Sequence, residues 1–441
     1  MPIRSNVVPI GKVVMLFVPI IVLPQTLKQI VMEKLDQNQK ERQYYIDWLR
    51  ILLILSVFLF HIGMIFNSWG WHVKNDITAG SKGVLWYIMV FMHEWRMPLL
   101  ILISGAGTYF ALGKRTTWQY LGERFKRLFI PLAVGVFTLV PLQVYVEKSA
   151  QFDSLLSYYP HMFEGVYPEG NFSWHHLWFI AYLFFISLII SPFLNFLRSG
   201  QFDLFVGKLA KIVSLRLGGN IFVIPLLISQ LLLRPYFPDN TNGFFNDWAQ
   251  ISYFIIFFLS GYILLSNNKF TDALKKQKWL FLIEASIMTI SLVTIPYMIP
   301  EKQGNLLWDL LEPFVAISCG LTAIGFAKQY LNKNNKLRKL ANEAVYPFYL
   351  LHQPIIVGVA YYMVKWDVSV VSKVLLITLT SLLLTISIYW FLIRPFNALR
   401  LIFGMKMNRK EIPNESHNND INLVPVAAKI SPSDNSSRFN K

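Results

Sequence analysis

The sequence predicts an all-α, polytopic integral membrane protein with about ten transmembrane helices. Three observations carry that prediction. Of the 441 residues, 54% are hydrophobic and only 15% are charged, against about 25% charged in a soluble globular protein. Apolar runs long enough to cross a bilayer recur along the chain. The loops between them alternate in their content of Lys and Arg. Mean hydropathy, at +0.43, agrees.

Taken in order, residues 7–24 (VVPIGKVVMLFVPIIVLP) are apolar but broken by Pro9, Gly11, Lys12 and Pro19. Three readings stay open for them: an extra N-terminal hydrophobic helix, an interfacial segment, or translation upstream of a start at Met32. Residues 25–43 are polar and mixed in charge, a linker. Spans are then expected at 44–66, 84–112, 128–146, 176–197, 220–237, 248–266, 279–299, 305–327, 343–363 and 370–393. The organisation is thus an N-terminal segment (1–43), a transmembrane domain (44–396) and a tail (397–441) that starts basic and becomes Asn/Ser/Pro/Asp-rich, with its last thirty residues expected to be disordered.

The segments 113–127, 198–219, 267–278, 328–342 and 394–410 hold five, four, four, five and five Lys or Arg, whereas the intervening loops hold none, one or two. Such alternation puts the basic loops, and both ends of the ten-helix core, in the cytoplasm. The formal charge of +16 is therefore topological, and nucleic acid is not expected as a partner. The lone cysteine, Cys319, excludes an intramolecular disulfide framework and a CxxC metal site. No metal site is expected, and no glycine-rich nucleotide loop, GxSxG elbow, HExxH or Walker motif is present.

The first core span, YYIDWLRILLILSVFLFHIGMIF, carries Asp47, Arg50 and His61. Ionisable groups at membrane depth are costly and mark candidate sites. At about 100° per residue, the eleven steps from Arg50 to His61 fall about 20° from three whole turns. The two side chains share one face, roughly 16 Å apart along the axis, and Asp47 lies one turn before Arg50. His61 then sits roughly 25 Å across the bilayer, where an imidazole suits a general base for a hydroxyl. The second span holds His93, Glu94 and Arg96, which cannot all face lipid. Glu94 is a candidate to orient or acidify His61, and Arg96 to neutralise Glu94 or bind an anion. The Ser104-Gly105 pair admits close backbone approach, a packing device.

Arg124 and Arg127 in the next basic loop are three apart, with Pro131 near the start of the following span, a spacing suited to clamping phosphate. Trp174, His175, His176 and Trp178 arrive at the outer end of a span, where tryptophans anchor and aromatics also suit sugar rings. Asp309 and Glu312 lie one turn apart as a second acidic patch, and His352 in VYPFYLLHQP is another histidine at membrane depth.

Together these residues resemble the membrane-bound acyltransferase 3 family over roughly 42–396. The resemblance rests on Arg50 and His61 with ten residues between them, the RxxR pair Arg124 and Arg127, the HLWF block His176–Phe179, and YLLHQP at Tyr349–Pro354. The family's common SGF reads Ser104-Gly105-Ala106 here. The wording ERQYYIDWLRILLILSVFLFH, WHVKN, HEWRMPLLILISGAGTYFAL and YPFYLLHQP looks most like the glucan-biosynthesis branch, associated with succinylation of osmoregulated periplasmic glucans.

The resemblance implies O-acyl transfer from cytoplasmic acyl-CoA, succinyl-CoA or acetyl-CoA, to a hydroxyl of an extracytoplasmic glycan. It implies a multi-pass protein of the bacterial cytoplasmic (inner) membrane, with no bound cofactor and with envelope glycan synthesis proteins as candidate partners. Arg50, Arg124 and Arg127 would hold the CoA phosphates, His61 with Glu94 would do the chemistry, and His176, Trp178, Asp309 and His352 would meet the acceptor. A succinyl carboxylate needs a cation, for which Arg96 is the candidate. Two other readings stay open: a proton-coupled transporter or flippase of an envelope glycan precursor using His61, Glu94 and Arg96 as a relay, and a non-catalytic partner of a glycan synthase.

Overall fold

A computed structural model describes residues 43–407 except 77–82, 114, 168, 239–243 and 245. The expectations for residues 1–42 and for the distal tail lie outside these. The fold is all-helical, and the β-type pairing among the described residues is an isolated bridge between Val166 and Phe172. In chain order the main helices are α1 (Tyr44–Met64), α2 (Val84–Leu112), α3 (Thr117–Glu147), α4 (His175–Phe193), α5 (Gly200–Val213) and α6 (Gly218–Leu233). They continue as α7 (Trp248–Ser266), α8 (Asn268–Thr294), α9 (Glu301–Tyr330), α10 (Lys336–Met363), α11 (Val370–Ile393) and α12 (Asn397–Ile402).

Each span expected from the sequence falls on one of these helices. Seven of the described helices, α1, α2, α3, α4, α7, α9 and α11, are long and apolar enough to cross a membrane. The other three differ for local reasons. Helix α6 is apolar but short, α8 opens with Lys269, Asp272, Lys275, Lys276 and Lys278, and α10 opens with Lys336, Arg338 and Lys339.

Helix α1 shows how the pattern becomes structure. Leu52, Leu55 and Leu59 are exposed, and helical phase puts them on the side opposite Arg50 and His61. The polar face turns inward against α2, α9 and α10. Asp47 forms an ion pair with Arg338 of α10 and lies 3.8 Å from Arg50, whose Nη1 donates to Asn342 at 3.4 Å. Helices α2 and α7 cross at two glycines. A Cβ on Gly105 would meet the Phe258 carbonyl oxygen at 1.9 Å, and one on Gly261 the Leu102 carbonyl oxygen at 1.8 Å. Only glycine permits that approach.

Prolines inside the helices have a second effect. Each lacks the N–H that would bond the carbonyl four residues earlier, and that oxygen needs another donor. Pro141 of α3 frees the Phe137 carbonyl, which accepts from the Tyr159 hydroxyl. Pro354 of α10 frees the Leu350 carbonyl, which lies 3.1 Å from His176 Nε2. The second case helps to build the site.

Candidate active site

Two cavities lie along α1. The first, of about 130 Å³, is lined by His61, His93, Glu94, Arg96, His176, Trp178, Gln250, Tyr253, Glu312 and apolar neighbours that include Val57 and Tyr349. The second, of about 630 Å³, is lined by Arg50, Ile54, Arg115, Tyr120, Glu123, Arg124, Arg127, Lys339, Asn342, Glu343, Tyr346, Tyr349, Arg400 and Lys406, among others. Arg50, Ile54, Val57 and His61 recur at helical spacing, so one stripe of α1 serves both cavities. Helix α2 does the same, with Met97 at the first cavity and Leu100, Ser104 and Gly107 at the second. The track between the charged ends is therefore apolar. Tyr349 lines both cavities.

The wide cavity gathers Arg50, Arg124 and Arg127 and adds four cations from elsewhere in the chain. Seven Lys or Arg side chains line it against two carboxylates, Glu123 and Glu343. Arg124 Nη2 donates to Thr108 Oγ1 at 2.8 Å, which fixes the guanidinium against α2. Arg400 is held by Glu343 at 3.0 Å and by the Lys406 and Arg394 carbonyls. A π-helical turn at Phe125–Phe129 separates Arg124 from the body of α3, a feature that often accompanies functional sites.

The narrow cavity is organised around histidines. His61 Nδ1 lies 2.9 Å from His352 Nε2, and His352 Nδ1 lies 2.5 Å from the Tyr349 carbonyl oxygen. With centroids 5.0 Å apart and planes 21° apart, the His61 and His352 rings meet edge to edge along this hydrogen bond, and the Trp71 ring lies near-parallel to His61 with centroids 6.1 Å apart. His176 Nε2 donates to the Leu350 carbonyl, which leaves Nδ1 to accept from Gln143 Nε2 at 3.4 Å. Gln353 Nε2 donates to Gln143 Oε1 at 2.8 Å and faces His72 Nε2 at 3.4 Å. His72 Nδ1 in turn lies 2.6 Å from Glu147 Oε2, and the Tyr167 hydroxyl donates to Glu147 Oε1 at 3.1 Å. Burial and the neighbouring Glu147 carboxylate push the Tyr167 phenol up to about 12, so it remains a donor. Each contact in this chain can pair a donor with an acceptor.

The structure separates the other sequence candidates. Glu94 is buried and lines the narrow cavity, but the His61 hydrogen bond goes to His352. Arg96 forms no ion pair with Glu94. Its guanidinium carbon lies 3.8 Å from the Phe60 ring centroid, and its Nε and Nη1 atoms are buried without a hydrogen-bond partner. Trp178 and His176 line the cavity. His352 does not, being wholly buried behind His61. Asp309 stands outside the lining, and the acid one turn later, Glu312, occupies that place. Among the described residues no group of three or more His, Cys, Asp or Glu is placed to hold a metal ion.

The sequence pattern assigned no role to Tyr349, Gln143, Gln353, His72 or Glu147, and it offered Glu312 only as half of an acidic patch with Asp309. The amides had a signal, because Gln143 and Gln353 sit in otherwise apolar spans, where a polar side chain needs a partner.

Three comparisons bear on this arrangement. The profile of the acyltransferase 3 family, described as an acyltransferase domain, matches residues 43–390. Relatives named "Glucans biosynthesis protein C" from Salmonella paratyphi B, Salmonella dublin and Salmonella enteritidis are each 25% identical over 235 residues. That match takes in 50% of this chain and 57% of each relative, so the chain spans little more than half their length. No solved structure matches.

Proposed function

The chain belongs to the acyltransferase 3 family, and from that premise we propose that it moves a small acyl group from acyl-CoA to a hydroxyl of an extracytoplasmic glycan. The observation that carries this reading is the pair of cavities meeting at Tyr349, one wide and cationic, the other narrow and histidine-lined. CoA carries a 3′-phosphate and a diphosphate at one end of a slim pantetheine arm. Its phosphates suit Arg124 and Arg127, with Arg50 alongside. The arm would run past Ile54 and Val57, whose apolar stripe suits a neutral chain better than a charged one. The roughly 16 Å from Arg50 to His61 is of the order of an extended pantetheine.

His61 then acts as general base. It takes the proton of the acceptor hydroxyl, the oxygen attacks the thioester carbonyl, and the tetrahedral intermediate expels the CoA thiolate. His61 returns the proton to that thiolate, so the products are an ester and free CoA. Trp178 and the Glu94 and Glu312 carboxyls suit a sugar, with an aromatic face and hydroxyl acceptors.

The alternation of basic loops supports ten spans with the cationic cavity at the cytoplasmic face, where acyl-CoA is made, and the histidine cavity toward the far side. We place the protein in the bacterial inner membrane, beside envelope glycan synthesis partners. The name of the Salmonella relatives favours a glucan acceptor, and the resemblance to the glucan branch favours a succinyl donor. Arg96 supports the latter, since its buried Nε and Nη1 lack hydrogen-bond partners and would suit the distal carboxylate. Arg96→Ala is therefore expected to lower succinyl transfer roughly tenfold or more relative to acetyl transfer. Unchanged donor preference would remove Arg96 from acyl recognition.

The deciding experiment is mass spectrometry of envelope glycans from a null strain carrying wild type or His61→Ala. An ester present only with wild type would support the transferase, and its mass would identify the acyl group. Identical glycans from both strains, with both proteins in the membrane, would remove His61 as base.

A further inference from the structure

We infer that His352 is the positioning residue of the base, holding His61 in the tautomer whose Nε2 is a bare lone pair. The inference deepens the reading of His61 as general base and rests on it. A backbone carbonyl only accepts, so the 2.5 Å contact to the Tyr349 oxygen puts a hydrogen on His352 Nδ1. In the neutral ring Nε2 is then an acceptor. The 2.9 Å contact to His61 Nδ1 accordingly requires the hydrogen on His61. With Nδ1–H committed, His61 Nε2 is left with its lone pair, the atom a base needs.

The surroundings divide the labour the same way. His61 lines the cavity, whereas His352 is wholly buried and does not. The near-coplanar hydrogen bond to His352 and the near-parallel Trp71 ring hold the plane of the His61 ring, and His352 is itself parallel to Phe348 at 6.3 Å. A carboxylate serves this purpose in many hydrolases by orienting and stabilising the imidazolium. Here a neutral imidazole stands in that place, its own tautomer set by the main chain. The chain Tyr349 carbonyl, His352, His61 ends at the substrate.

The test compares three substitutions in purified protein, with succinyl-CoA and acetyl-CoA as donors and release of free CoA as the readout. Gln at position 352 can place its amide oxygen near the former Nε2. Asn reaches only to the former Nδ1, and Leu offers no acceptor. His352→Gln is expected to stay within about tenfold of wild-type kcat, while His352→Asn and His352→Leu fall by a further 10- to 100-fold. The donor KM should be unchanged in all three. Equal kcat for Gln, Asn and Leu would overturn the inference.

Should Leu fail to reach the membrane, the Gln and Asn pair carries the comparison. A second readout needs no turnover. In histidine-labelled wild type, 15N resonances should show His61 protonated at Nδ1 and bare at Nε2, with the signal assigned by its loss in His61→Ala. Protonation at Nε2 in wild type would overturn the inference. Wild-type turnover in His61→Ala would instead sink the general-base reading, so the two failures are told apart.

Discussion

The two cavities along α1 are built by opposite means. The wide one is lined by seven cations and two carboxylates, so what it offers a ligand is charge and span. The narrow one is lined by aromatic and titratable groups whose ring nitrogens are tied into a continuous hydrogen-bonded chain from His61 through the Tyr349 main chain, with a second running from His176 to Glu147. Charge recognition tolerates displacement, because Coulomb attraction falls slowly with distance. Proton transfer does not, because the base must stand within hydrogen-bond reach of the proton it takes. On the proposed reading, the same stripe of one helix would serve a loose grip at one end and a rigid reacting group at the other.

The sharpest way to break this contrast is at the rigid end. His61→Ala should lower ester formation by about 10²- to 10⁴-fold, with the protein still inserted and the donor still bound, as measured by binding of desulfo-CoA. Loss of binding together with turnover would mean that the two cavities are not separable.

At the loose end the expected effect is smaller and of another kind. Arg124→Ala or Arg127→Ala removes a charge-assisted contact of about 1.5–3 kcal/mol, which raises the donor KM roughly tenfold to a hundredfold. At saturating donor kcat should stay near wild type. The Arg124 variant also frees Thr108 and so should have the larger effect of the two. A fall in kcat with no change in KM would contradict a binding role for this cavity.

The same division explains what could be read from the sequence. Cations at membrane ends and histidines within spans are visible as anomalies of composition, so Arg50, Arg124, Arg127, His61 and His176 all stand out. Helical phase even links Arg50 to His61. What phase cannot give is the partner across a helix interface. Asp47 has Arg50 one turn away, yet its closer partner is Arg338, nearly three hundred residues later. Glu94 is near His61 in span order, but His352 takes the hydrogen bond. Asp309 and Glu312 differ by one turn, and only packing decides that Glu312 lines the cavity. The fold class was legible because the bilayer imposes it. Helices α8 and α10 blur the count of spans because charged turns precede their apolar portions.

The smallest effect sharpens the comparison most, because it reaches the rigid end through the main chain alone. Pro354 withholds an N–H from the Leu350 carbonyl, and His176 Nε2 donates there instead. Pro354→Ala restores a helical donor that competes for that oxygen. His176 would then lose its fixed tautomer, and the Gln143–Gln353–His72 chain would lose one end. His61 would keep its own contact with His352. Turnover should therefore drop only a few-fold, about 1 kcal/mol in the barrier, while helix stability rises and the donor KM is unchanged. A loss as large as that of His61→Ala would show that His176 acts with the base, and no loss at all would confine it to packing.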